Sequence, residues 1–102
     1  MPTVEQARLR MQHELQAARK DGCKAVKLIH GYGSSGAGGA LRIELQRDLR
    51  QAAENGAIQA YIPGEEWRIS DPGTWRLLKQ FPEWKKDSDL GRGNQGISIV
   101  EF

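Results

Sequence analysis

The chain has 102 residues, of which 27% are charged and 38% hydrophobic, with a formal net charge of +2. That length suits one modest core, and the composition excludes a disordered chain. No apolar run approaches the ~20 residues of a membrane span, the polar opening Met1-Pro2-Thr3-Val4-Glu5 reads as no signal peptide, and the lone Cys23 supports neither a disulfide framework nor a cysteine metal site. The charge permits nucleic acid as a partner without requiring it. A single thiol fits a reducing, cytoplasmic setting.

Thr3-Val4-Glu5-Gln6 has the form of a capping box. Val4, Ala7, Met11, Leu15 and Ala18 then recur at helical spacing, opposite a polar face of Arg8, Gln12, Gln16, Arg19 and Lys20. The pattern predicts a helix from Val4 to Asp21, stopped by Gly22. His13 falls on its polar side and reads as a solvated residue.

Residues 25–30 read as a buried strand, with Val26, Leu28 and Ile29 as its apolar members and His30 at its end. Five glycines follow, Gly31, Gly33, Gly36, Gly38 and Gly39. Leu41, Leu45, Leu49 and Ala52 then predict a helix over residues 39–54, ended by Asn55-Gly56. Ile58 to Ile62 reads as a short strand stopped by Pro63-Gly64. The two strands should run parallel through a right-handed crossover.

Between Pro63 and Gln95 the chain carries Trp67, Trp75, Trp84 and Phe81. Asp71-Pro72 marks a helix start, with Trp75, Leu77, Leu78 and Phe81 as candidate apolar residues and Pro82 as the stop. This segment reads as an added helix over part of the core, or as an aromatic platform for bases. Lys85 to Asp89 reads as a solvated loop and Gly91 to Gly96 as a second glycine-rich turn. Ile97 to Phe102 closes the chain as a strand buried on both faces.

Residues 26–42 carry the chemistry. A strand enters a glycine-rich loop that opens a helix, so loop N–H groups and the helix N-terminus converge on one place that attracts anions. Gly31-Tyr32-Gly33-Ser34-Ser35-Gly36 spells the dinucleotide fingerprint, but no acidic residue follows about 20 residues on. No Gly-Lys-Ser/Thr completes a P-loop, and no G-x-S-x-G elbow or zinc pair is present. What remains suits a phosphodiester. Loop donors at Gly31, Gly33, Gly36 and Gly39, hydroxyls of Tyr32, Ser34 and Ser35, and Arg42 would hold phosphate, with His30 as acid, base or donor. The plainer reading is a tight turn with His30 satisfied by backbone.

The strand ending in His30-Gly31-Tyr32-Gly33 and leading to Leu41-Arg42 resembles the His-Gly-x-Gly and Leu-Arg motifs of the Smr (small MutS-related) domain. Thr3 to Ala7 is similar to that family's first helix, and Gly96 to Val100 to its closing strand; the likeness spans residues 3–62 and 96–102. It implies a two-layer α/β fold like the C-terminal domain of translation initiation factor 3. For residues 1–102 this means one domain of order α-β-α-β-(α)-β, with a small mixed three-stranded sheet, helices on one face, and a Trp-rich insertion at about 63–95. It further implies DNA or RNA binding and, as in several members, nicking. His30 would then be the catalytic residue, and Arg92 and Asn94 would be carried beside it by the central last strand. No cofactor is indicated by the residues, though a nicking reaction would draw on a divalent ion such as Mg²⁺. The family's Leu-Asp-x-His segment has no counterpart in these residues, Tyr32 stands where a basic residue is usual, and the loop is longer. The alternative is a catalytically silent interaction module that uses the Trp-rich insertion or an exposed strand edge. The strand at 25–30 is expected at that edge, as the seam of a homodimer.

Overall fold

The computed structural model describes residues 3–31 and 39–102. Helix α1 spans Val4–Lys20. Its capping box is complete: Gln6 N–H donates to Thr3 Oγ1 at 3.1 Å, and Thr3 N–H donates to Gln6 Oε1 at 3.0 Å. Strand β1 is Ala25–Ile29 and helix α2 is Ala40–Glu54. Gly39 caps α2 at φ 84°, left-handed backbone that favours glycine.

Strand β2 is Ala60–Pro63, two residues later than its apolar pattern suggests. The N–H groups of Ala57 and Ile58 bond Ala52 O, so those residues close the end of α2 and are unavailable to a ladder. Pro63 ends the strand from within because β2 is an edge. Strand β3, Ile97–Glu101, lies between the other two and runs antiparallel to both. β1 and β2 therefore run in the same direction, as expected. They do not touch, so the sheet holds no parallel pair and is not mixed.

Alternation along β3 divides the molecule. Val100 joins Met11, Leu28, Leu41, Leu45, Leu49 and Ile58 in the core under α1 and α2. Ile97 and Ile99 join Ile62, Trp67, Leu77 and Leu78 in a second core on the opposite face. Helices thus cover both faces, not one. The reason is the bilateral burial of β3: its apolar residues point both ways, and each face needs a cover.

The second cover is the insertion. It comprises a 3-10 turn at Gly64–Glu66, helix α3 at Pro72–Gln80, and a 3-10 turn at Pro82–Lys86. Asp71 caps α3, with its Oδ2 accepting from Thr74 N–H at 3.0 Å, and Pro72 follows at the first position. Trp67 is fully buried, edge-on to Trp84 at 6.0 Å between centroids. Trp75 is 50% exposed, against its expected place on the apolar face. The inward stripe is Thr74, Leu77, Leu78 and Phe81, and Trp75 sits about 100° round the helix from Thr74. The insertion is therefore core cover rather than an aromatic platform.

Lys85, Lys86 and Ser88 are exposed, as a solvated segment requires, but Asp87 and Asp89 are engaged. Lys27 Nζ reaches Asp87 Oδ1 at 2.9 Å and Asp89 Oδ2 at 2.7 Å, and Trp67 Nε1 donates to Asp87 Oδ2 at 3.0 Å. These contacts tie the insertion to β1. On the other face, Arg8 bridges from α1 to Asp48 of α2 at 2.5 Å. No helix among the described residues is long and apolar enough to cross a membrane.

Candidate nucleic-acid interface

Four elements end at one place. β1 delivers His30, α2 delivers Arg42 in its first turn, the turn after β2 delivers Glu65, and β3 begins with Ser98 close by. The backbone closes the arrangement: the N–H groups of His30 and Gly31 both donate to Gly96 O at 3.0 Å. Gly64 allows it, because a Cβ there would lie 1.8 Å from Asn94 O, so the strand-to-turn corner can pass under the second glycine-rich turn only without a side chain.

The His30 ring is held at both nitrogens. Nδ1 lies 2.8 Å from Gly31 O, and Nε2 lies 2.9 Å from Ser98 Oγ. A carbonyl only accepts, so Nδ1 carries the proton of the neutral ring and Nε2 accepts from the Ser98 hydroxyl. Burial holds the His30 pKa below its usual value; the Gly31 carbonyl opposes this, Arg42 reinforces it, and Glu65 opposes it. The ring is therefore neutral at physiological pH. Ser98 is fully buried. Beside it, the Tyr61 hydroxyl is pushed up to about 12 by burial above all, with Ser98 moderating the rise. That hydroxyl is buried.

Arg42 is the cation of this end. Its Nη1 lies 3.3 Å from Gln46 Oε1 and 3.8 Å from Glu65 Oε1. The Arg42 side chain is 22% exposed, so it reaches solvent. Gly39 supplies no side-chain cap, so the first N–H groups of α2 have none among the described residues.

Of the expected site residues, the structure brings together His30, Gly31, Gly39 and Arg42. Tyr32, Gly33, Ser34, Ser35 and Gly36 lie outside the described residues. Arg92 goes elsewhere, whereas Asn94 binds Gly96, the residue whose carbonyl accepts from His30 and Gly31. Asn94 Nδ2 donates to Asp89 Oδ1 at 3.0 Å, and its Oδ1 accepts from Gly96 N–H at 2.8 Å. Arg92 is exposed and acts on Asp89, helping to hold that carboxyl below its usual range. The Asp89 carboxylate draws Arg92, and the amide nitrogen of Asn94, toward the Lys27 cluster. Gln46, Tyr61 and Ser98 were not legible as site residues. Ser98 alone left a signal, a hydroxyl inside the apolar run Ile97 to Val100.

The sequence pattern of the Smr domain matches residues 1–68. The chain belongs to the Smr domain family. No curated protein and no solved structure matches it. The family is consistent with nucleic-acid-binding or nuclease-like function, and the matched stretch contains every Smr residue discussed above at the end of β1 and in the first turns of α2. Ser98 and the insertion beyond Arg68 lie outside it. Of the residues gathered here, His30, Arg42, Gln46 and Glu65 come from the matched stretch and Ser98 from β3 beyond it. Among the described residues no group of three or more His, Cys, Asp or Glu side chains could hold a metal ion.

Proposed function

We propose that this Smr domain binds the phosphodiester backbone of nucleic acid at the mouth between His30 and the start of α2. The observation that carries this reading is the position of Arg42. It stands part-exposed in the first turn of α2, close to a helix N-terminus that attracts anions. Phosphate contacts of this kind are independent of sequence, and single strands or junctions fit the mouth better than a base-reading helix would. Binding is measured by fluorescence anisotropy on labelled single strands and junctions over a salt series. Arg42→Ala should weaken binding to all sequences alike and flatten the salt slope by about one unit or less. Arg92→Ala should do less, because Arg92 serves Asp89. Unchanged affinity in Arg42→Ala would refute the reading.

Cleavage is the finer proposal. His30 would act as acid or base, and its Nε2 must exchange Ser98 for the substrate to do so. Plasmid nicking, assayed with and without Mg²⁺, should be lost in His30→Ala while the fold survives. Nicking that persists with alanine at 30 removes the assignment.

A second reading, a silent interaction module, is favoured by one observation. β1 lies at the sheet edge and Ile29 is 75% exposed there. On this reading the domain pairs with a second copy along β1.

A further inference from the structure

The mouth already contains an anion. Glu65 Oε1 lies 3.8 Å from Arg42 Nη1 and accepts from Gln46 Nε2 at 3.4 Å, while Gln46 Oε1 accepts from Arg42 Nη1 at 3.3 Å. The three side chains form a small closed ring. Its ion pair is single-pronged and long, far from the bidentate geometry that makes an arginine–carboxylate pair strong. The other carboxylate oxygen, Glu65 Oε2, is buried with no partner among the described residues. A carboxylate oxygen shut away from donors works against the arrangement that holds it there. Glu65 is thus loosely held at one oxygen and penalised at the other. Its side chain is 36% exposed, so solvent is open to it.

Gln46 is the opposite case. It is only 8% exposed, and both ends of its amide are committed, the oxygen to Arg42 and the nitrogen to Glu65. It sits one helical turn after Arg42 and holds the guanidinium in place. Its Nε2 is a fixed donor aimed at the point where Glu65 Oε1 now lies. A guanidinium and an amide N–H make the same demand of a phosphate oxygen as of a carboxylate oxygen.

We infer that Glu65 Oε1 stands in for a phosphodiester oxygen on Arg42 and Gln46, and that the carboxylate swings out when a nucleic-acid backbone seats there. This rests on the proposed nucleic-acid reading and adds two assignments to it. Gln46 becomes a phosphate-contacting residue. Glu65 becomes the residue that sets affinity, by competing for Arg42 and by repelling the incoming charge. Gly64 keeps the turn backbone fixed under Asn94, so the side chain moves and the turn does not.

The test uses the full chain, a labelled single strand, and inorganic phosphate as the minimal probe. Glu65→Gln should bind the strand about three- to tenfold tighter than wild type, the effect of removing one partly exposed competing charge. Glu65→Asp keeps the charge but withdraws it from Arg42, and should also tighten binding. In an Arg42→Gln background the Glu65→Gln gain should shrink to less than about twofold, because the two groups act on one another. Inorganic phosphate should shift the Arg42 and Gln46 side-chain NMR signals at lower concentration in Glu65→Gln. If wild type binds and Glu65→Gln binds no tighter, the inference fails and the nucleic-acid reading stands. If Glu65→Asp matches wild type while Glu65→Gln gains, charge alone is at work and the stand-in assignment fails. If neither wild type nor Glu65→Gln binds any strand, both fall together.

Discussion

His30 shows how a single residue is read twice. Sequence spacing marks it as the end of a strand before a glycine loop, and that is where it lies. Its bonding is a tertiary matter: Ser98, 68 positions away, takes Nε2. Because burial lowers its pKa in the folded chain, the unfolded chain takes up the proton more readily. Stability should therefore be level above the unfolded value of about 6.5 and fall as pH drops below it. Urea denaturation at neutral pH and at about pH 5 should show this loss in wild type and much less of it in His30→Gln. Equal losses in both proteins would place the acid sensitivity elsewhere. Gly64 makes a second prediction at this scale. A methyl group at this position would lie 1.8 Å from Asn94 O, so Gly64→Ala has no room, and should cost about 3 kcal/mol or more by thermal or urea melts.

Among the elements, β1 carries the sharpest consequence. Phe102 N–H bonds Lys24 O and His30 N–H bonds Gly96 O, so the even-numbered residues of β1 face β3. Ala25, Lys27 and Ile29 turn their N–H and C=O groups outward. A groove of about 180 Å³ opens beside this edge, lined in part by Met11, Leu28, Leu41 and Leu45. Lys27, whose charge would otherwise blunt the edge, is turned to Asp87 and Asp89. Pairing of two β1 strands predicts a dimer in light scattering, and Ile29→Pro should return it to monomer by removing an outward donor. Val26→Pro would be the wrong test, since the Val26 N–H belongs to the ladder with β3. A wild type that stays monomeric at high concentration ends the dimer reading.

At the scale of the whole molecule, one strand serves two cores. Val100 belongs to the core under α1 and α2, while Ile97 and Ile99 belong to the core that surrounds Trp67. We expect the two to unfold together, as one domain. Tryptophan fluorescence reports the Trp67 core and far-UV circular dichroism is weighted to α1 and α2. The two urea curves should coincide. Trp67→Ala should shift both, by about 3–5 kcal/mol in stability. Separate midpoints would show the insertion to be an independent unit.

The sequence by itself determined the local structure. The capping box at Thr3, the stop at Gly22, the start of α3 at Asp71-Pro72 and the central burial of β3 all follow from neighbours in the chain, which interact over one turn or one strand. It also determined the family and the convergence of His30 and Arg42, because both flank one loop. What only the tertiary structure decided depends on residues far apart. The insertion covers the second face because β3 is apolar on both sides. Arg92 acts on Asp89, and Asn94 spans from Asp89 to Gly96, because Lys27 draws that carboxylate into a part-buried cluster. Glu65 meets Arg42 and Gln46, which lie one turn apart on α2, only when β2 folds back beside that helix, and no spacing within the chain could announce a contact made across that crossover.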